Sequence, residues 1–200
     1  MPGKLKSFST LFAFTLLVAV TSSARAQENR TANPPKKVPT LPCCKCLGGS
    51  NQLNLSTISP NQWIVNGNPA VFLNVIHPLW NINPGPAKWV STIASGGTGN
   101  VPAGSYVYQL DFVVPSCVIE QKVSLTGNYG GDDDVSIFLD NTLLSQCNGG
   151  WCFNIQHKLN VPTFSALIAS GAHALVVKVQ NSGGPSGMFV NANLVSACSN

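Results

Sequence analysis

Between Gly104 and Asn141 the chain alternates apolar and polar residues with a period of two. Tyr106, Tyr108, Leu110 and Phe112 fall on one side of a predicted strand, and Val107, Gln109, Asp111 and Val113 on the other. Successive side chains of a strand point to opposite faces, so one set is expected to be core and the other wetter. The same period recurs in Val123, Leu125 and Tyr129, in Val135, Ile137 and Leu139, and in Leu175, Val177 and Val179. Asp140-Asn141 stands where a hairpin turn is needed, and both residue types tolerate positive φ.

Strands are predicted over 63–65, 70–75, 88–93, 105–114, 118–129, 135–139, 142–144, 173–180 and 188–195, with a loop at 181–187. One short helical turn is expected between Pro162 and Ser170. Many short strands at regular spacing, with almost no helix signal, predict an all-β fold: an antiparallel β-sandwich of the jelly-roll kind. No internal repeat is found.

The first residues read differently. Lys4 and Lys6 precede an apolar run from Phe8 to Val20, followed by Ala24-Arg25-Ala26. This predicts a secretory signal peptide over 1–26, cleaved before Gln27. The run falls short of the roughly 20 residues of a bilayer crossing, and no later segment approaches it, so no membrane insertion is expected. Residues 27–42 are rich in Asn, Pro and Lys and predict an extended spacer. Residues 43–200 are then one domain with a Cys-rich entrance, secreted to the outside of the cell or to the periplasm.

Charge changes the choice of partner. The formal +4 is carried by the leading segment. From Leu47 onward Lys88, Lys122, Lys158 and Lys178 face Asp111, Glu120, Asp132, Asp133, Asp134 and Asp140, four against six, for a net −2 with His neutral. A nucleic-acid binder needs a basic patch, which this domain lacks.

Seven cysteines in an exported chain point to disulfides. Cys147 and Cys152 bracket a turn and are expected to close a short loop. Cys117, at a bend, and Cys198, after the last strand, are expected to tie the C-terminal strand into the sheet. Cys43, Cys44 and Cys46 remain at the entrance. They match no structural zinc spacing, and an internal bridge or a covalent dimer is the plainer reading.

A series of short motifs carries a family resemblance. It runs from Ala87-Lys-Trp-Val90 through Gly104-x-Tyr-x-Tyr-x-x-x-Phe112, Leu125-x-Gly127, Asp132-Asp-x-Val135 and Ile137-Phe-Leu-Asp-Asn141. It continues in Phe153-Asn154, Gly171-Ala-His-Ala-Leu-Val-Val177 and Asn181-x-Gly-Gly-Pro-x-Gly-Met188. In this order, over about Trp80 to Val195, the chain resembles the galactose-binding-like jelly-roll modules of exported bacterial proteins. It departs from them in Asp133, where they often have Asn, and in Asp140-Asn141, where they often have Asn-Gly. The resemblance implies the fold and a range of uses: carbohydrate binding, lectins and cell-surface adhesion.

The candidate site residues follow from sugar chemistry. A sugar ring offers a C–H face to an indole, and neighbouring amides bond its hydroxyls. Trp80, with Asn81 and Asn83, and Trp151, at a hairpin tip, are the candidates for ligand binding; Trp63 and Trp89 are assigned to the core. Asp132, Asp133 and Asp134 place three hard oxygen donors at a strand entrance. The resembled modules often carry a structural calcium, so these residues are a calcium candidate, the alternative being a cap on the strand.

No catalytic motif is present. Gly-x-Ser-x-Gly and His-Glu-x-x-His are both absent, and His77, His157 and His173 are scattered. Three functions therefore compete: a non-catalytic module that binds carbohydrate at the cell surface or in extracellular matrix, an adhesive protein assembling through edge strands or its Cys-rich segment, and a small hydrolase. The first is preferred, and no catalytic residue is assigned.

Overall fold

The structure, a computed structural model, describes residues 38–43, 49–59, 62–118, 123–162 and 168–198. The signal segment, most of the spacer, Cys44, Cys46 and the center of the expected helical turn lie outside the described residues. Among the described residues there is no α-helix.

Among the described residues, twelve strands build two antiparallel sheets. They are β1 (Gly49–Asn54), β2 (Ile64–Val65), β3 (Asn68–Pro69), β4 (Val71–Phe72), β5 (Val90–Ser91), β6 (Gly104–Val114), β7 (Val123–Asp132), β8 (Asp134–Leu139), β9 (Thr142–Cys147), β10 (His157–Val161), β11 (Gly171–Asn181) and β12 (Gly187–Cys198). The first sheet has the order β3-β2-β6-β11-β8-β9. The second has the order β10-β7-β12-β5-β4, with β1 also paired to β12. This is the predicted jelly-roll sandwich.

The alternation in the sequence sets the registers. β6 and β11 pair along their whole length, from Gly104 opposite Asn181 to Val114 opposite Gly171. Tyr108, Leu110 and Phe112 thereby face inward with Leu175, Val177 and Val179, all with no exposed surface. From the second sheet Leu125, Tyr129, Met188, Val190, Ala192 and Leu194 close the core. A slip of one residue in either sheet would turn these side chains to water, so burial fixes the pairing. Asp140 adopts φ 54° in the β8–β9 turn, as its place in the hairpin required. Its carboxylate accepts from Ala174 N at 2.8 Å, which ties the turn to β11.

The spacer boundary shifts. The end of the expected spacer belongs to the fold: Val113 N donates to Pro39 O, Leu41 N donates to Val113 O, and Leu41 is fully buried. Prolines leave the segment extended, and an extended segment can dock along β6. The sequence reading also missed β1 and β10, whose residues are mostly polar.

Candidate functional site

The side chains of β12 alternate between two cores. Met188, Val190 and Ala192 face into the sandwich, while Phe189 points to the outer side of the second sheet. There it meets Trp80, Ile82 and Ala87 from the β4–β5 connection, Trp89 just before β5, and Phe153 from the β9–β10 turn. Trp80 stacks on Trp89 with ring centroids 4.2 Å apart, and Trp89 meets Phe189 edge-on at 5.0 Å. Gly130 lets this layer lie close to the sheet, since a Cβ there would come within 2.7 Å of the Phe189 ring.

Trp80 is therefore corrected: it is 5% exposed and belongs to this second core, not to a ligand platform. Its indole Nε1 donates to Asp132 Oδ2 at 3.0 Å. Trp63 and Trp89 are buried, as assigned.

Asn81 and Asn83 behave differently because they flank Ile82. With Ile82 anchored in the aromatic layer, both amides face outward and are exposed. Together with Asn154, Ile155 and Gln156 they line an open cleft of about 510 Å³. Gln156 Nε2 donates to Asn83 O across it, and Asn83 Oδ1 accepts from Gly85 N at 2.9 Å. Asn154 Oδ1 is buried and has no hydrogen-bond partner among the described residues. An acceptor left in this state costs about 1–3 kcal/mol unless a donor completes it.

Trp151 stands on the same turn, with its carbonyl accepting from Asn154 N at 3.1 Å. Its ring lies 5.5 Å from that of Phe153 and is 65% exposed. Ile155 is exposed to nearly the same degree. The cleft therefore combines uncharged amides, which donate and accept, with the exposed side chain of Ile155, and Trp151 stands exposed on the adjoining turn. No titratable side chain lines it.

The acidic triplet does not converge. Asp132 Oδ2 is taken by Trp80 Nε1. Asp133 Oδ2 accepts from the backbone N and the hydroxyl of Ser182. Asp134 Oδ1 accepts from the amides of Gly149 and Gly150, each at 2.8 Å. Three successive carboxylates thus hold three different loops, and among the described residues none of them belongs to a group of three or more converging His, Cys, Asp and Glu side chains. Asp133 and Asp134 bond backbone amides, which is what the capping alternative requires. Burial pushes Asp132 up to about 8, helped by a hydrogen bond to Asp133 and its negative charge and opposed by the bond from Trp80. Asp133 moves the other way. Its own burial raises it, but the hydrogen bonds from Asp132 and Ser182 outweigh that and hold it below the ordinary carboxylate value.

Cys147 is bonded to Cys152, closing the short loop read from the sequence. The pairing of Cys117 with Cys198 is corrected, because Cys117 is bonded to Cys43. The docking of residues 38–42 on β6 brings Cys43 to the bend after that strand. His157 lies beside Cys147 and Cys152, but the two sulfurs are bonded to each other and offer no thiolate to a metal.

Of the residues expected from the sequence, Asn81 and Asn83 line the cleft and Trp151 stands exposed beside it on the chain; Ile155 and Gln156 were not among them, and Asn154 appeared only as part of a family motif. The signal available was the run Asn154-Ile-Gln156 directly after Trp151.

No family model matches the chain, and no curated protein matches it. Among solved structures it is similar to Carbohydrate-Binding Module CBM36 in complex with calcium and xylotriose, at 8% identity over 72% of this chain and 98% of that one, with a TM-score of 0.38. It is similar to the CBM36-1 domain of a multidomain xylanase from the hindgut metagenome of Trinervitermes trinervoides, at 6% identity over 76% and 100%, TM-score 0.39. A third is TmCBM61 in complex with beta-1,4-galactotriose, at 17% identity over 70% and 92%, TM-score 0.40.

Proposed function

We propose that this protein is an exported, non-catalytic β-sandwich module that binds carbohydrate in the cleft between residues 81–83 and 154–156. The observation that carries the reading is the chemistry of that cleft. Amide groups on both walls flank the exposed side chain of Ile155, with no ionisable group among them. Neutral hydroxyl-rich ligands match such a surface: amides bond hydroxyls, and Trp151 and Ile155 cover the C–H faces of the ring. A site without a titratable group offers no general acid or base, which supports binding over hydrolysis. Two disulfides suit an exported protein.

The adhesive alternative draws less support. The strands at the sheet borders, β3, β4, β9, β10 and β1, are two to six residues long. Short edges are poor templates for pairing with another chain.

The test is a glycan array probed with residues 27–200, followed by calorimetry on the hits with wild type and Asn83→Ala/Gln156→Ala. Selective binding of neutral glycans, weakened in the variant, supports the reading. An array with no neutral glycan bound removes it.

A further inference from the structure

The outer face of the second sheet continues beyond the aromatic layer, and its composition is unusual. Inward positions on β7, β10 and β12 are apolar, namely Leu125, Leu159, Val161, Ala192 and Leu194. Between Phe189 at one end and Val195 at the other, the alternating outward positions are amides or hydroxyls apart from Lys158. Pairing places them in rows across the strands. One row runs from Asn160 on β10 to Thr126 on β7, Asn193 on β12 and Asn54 on β1. The row beside it runs from Lys158 to Asn128 and Asn191. No carboxylate occurs in either row, and Lys158 is their one charge.

These rows join the cleft at both of its walls. Gln156, which lines the cleft, stands two residues before Lys158. On the other wall the loop after Asn83 reaches Asn191, since a Cβ on Gly85 would lie 3.1 Å from the Asn191 amide nitrogen. Asn54 and Asn191 are held by Ser56, whose backbone N donates to Asn54 Oδ1 at 2.8 Å and whose hydroxyl donates to Asn191 Oδ1 at 3.3 Å. Two of the amides are thus already fixed in place.

We infer that this face is an extension of the binding site that takes the continuing chain of a linear, uncharged polysaccharide, so that the protein grips a stretch of polymer and not only one sugar. The inference rests on the cleft reading above and specifies its ligand class. Neighbouring strands lie about 4.8 Å apart, so the row of four spans about 14 Å. A polymer whose repeating unit is close to the strand spacing presents hydroxyls to successive strands as it crosses them. Amides suit that task because each offers both donors and an acceptor. The lack of carboxylates fits a neutral polymer and leaves nothing to hold a basic one.

The experiment is calorimetry with disaccharides and hexasaccharides of neutral β-1,4-linked glucose, xylose, mannose and galactose. Wild type is compared with Asn128→Ala/Asn193→Ala on the face and with Asn83→Ala/Gln156→Ala in the cleft, and melting curves confirm folding. For the sugar that binds, the hexasaccharide is expected to bind about tenfold more tightly than the disaccharide, the worth of one or two added hydrogen bonds. The face variant is expected to lose that gain and keep its disaccharide affinity. Equal affinity for both lengths, or a hexasaccharide gain that survives in the face variant, overturns the extension and leaves the cleft reading standing. A gain lost in the face variant while the cleft variant binds both lengths as wild type overturns the cleft reading instead. Binding of none of these sugars overturns both.

Discussion

The indole nitrogen of Trp80 donates to Oδ2 of Asp132 at 3.0 Å, joining the aromatic layer outside the second sheet to the end of β7. Asp132 is buried there beside Asp133, and its carboxyl is raised to about 8. A carboxyl whose folded value lies above its unfolded value of 3.8 binds more protons folded than unfolded between the two. Its stabilising effect is complete below the lower value and is lost as pH rises toward 8. His157, lowered by burial, acts in the opposite sense below its ordinary 6.5. From pH 6.5 to 8 the Asp132 effect stands alone among the shifted groups of the described residues. Wild type is therefore expected to lose stability across that window. In Asp132→Asn, which keeps an acceptor for Trp80 and removes the titrating proton, the loss is expected to flatten. Urea denaturation at several pH values measures it; parallel curves for the two proteins would refute the assignment of the pH dependence to Asp132.

Trp80 and Trp151 are expected to separate stability from binding. Trp80→Ala removes a buried indole stacked on Trp89 and strips Asp132 of its donor. A loss of about 3–5 kcal/mol is expected, the usual cost of such a truncation. Trp151→Ala removes a ring that is 65% exposed and is expected to change stability by no more than about 0.5 kcal/mol while weakening sugar binding. Denaturant melts of both variants, with calorimetry on Trp151→Ala, decide the matter. An early melt of Trp151→Ala would place that ring in the fold instead of the site.

The two outcomes for Trp80 and Trp151 show where local sequence stops being informative. Strands β6, β8, β11 and β12 were legible because one face of each is buried, and burial writes a period of two. β1 and β10 were not, since Gly49–Asn54 and His157–Val161 contain few apolar residues and owe their place to pairing with β12 and β7. Trp80 has the flanks of a loop residue, yet it stacks on Trp89 in a layer that Phe189, over a hundred positions later, completes. Asn81 and Asn83 were readable as amides near an indole. That Asn154 and Gln156 would face them depends on the β9–β10 turn folding back, which no local pattern records. The Cys43–Cys117 bridge was hidden for a similar reason: the Pro-rich segment reads as a spacer, and only its docking on β6 brings Cys43 to the bend.

The two disulfides are expected to differ in weight. Cys43–Cys117 closes 74 residues and Cys147–Cys152 closes five. By loop-closure entropy the first is worth about 4 kcal/mol and the second about 2 kcal/mol. Cys43→Ser/Cys117→Ser is expected to lower stability by roughly twice as much as Cys147→Ser/Cys152→Ser. Urea denaturation of the two double variants tests the ratio. A larger loss from the short loop would mean that Cys147–Cys152 chiefly holds the turn carrying Trp151 and Asn154, and sugar affinity would then fall with it.

Salt distinguishes the proposed site from a charged one. The cleft is lined by amides and isoleucines, and the rows beside it carry only Lys158. Binding through such groups is expected to change less than about twofold between low and high salt, because mobile ions screen charge and leave stacking and neutral hydrogen bonds largely intact. Lys158→Ala should leave that flat profile in place. The measurement is calorimetry with the best neutral oligosaccharide across a salt series, for wild type and Lys158→Ala. A steep fall of affinity with salt that disappears in Lys158→Ala would show that the ligand is anionic and that Lys158 holds it, and the neutral-polymer reading would then fail.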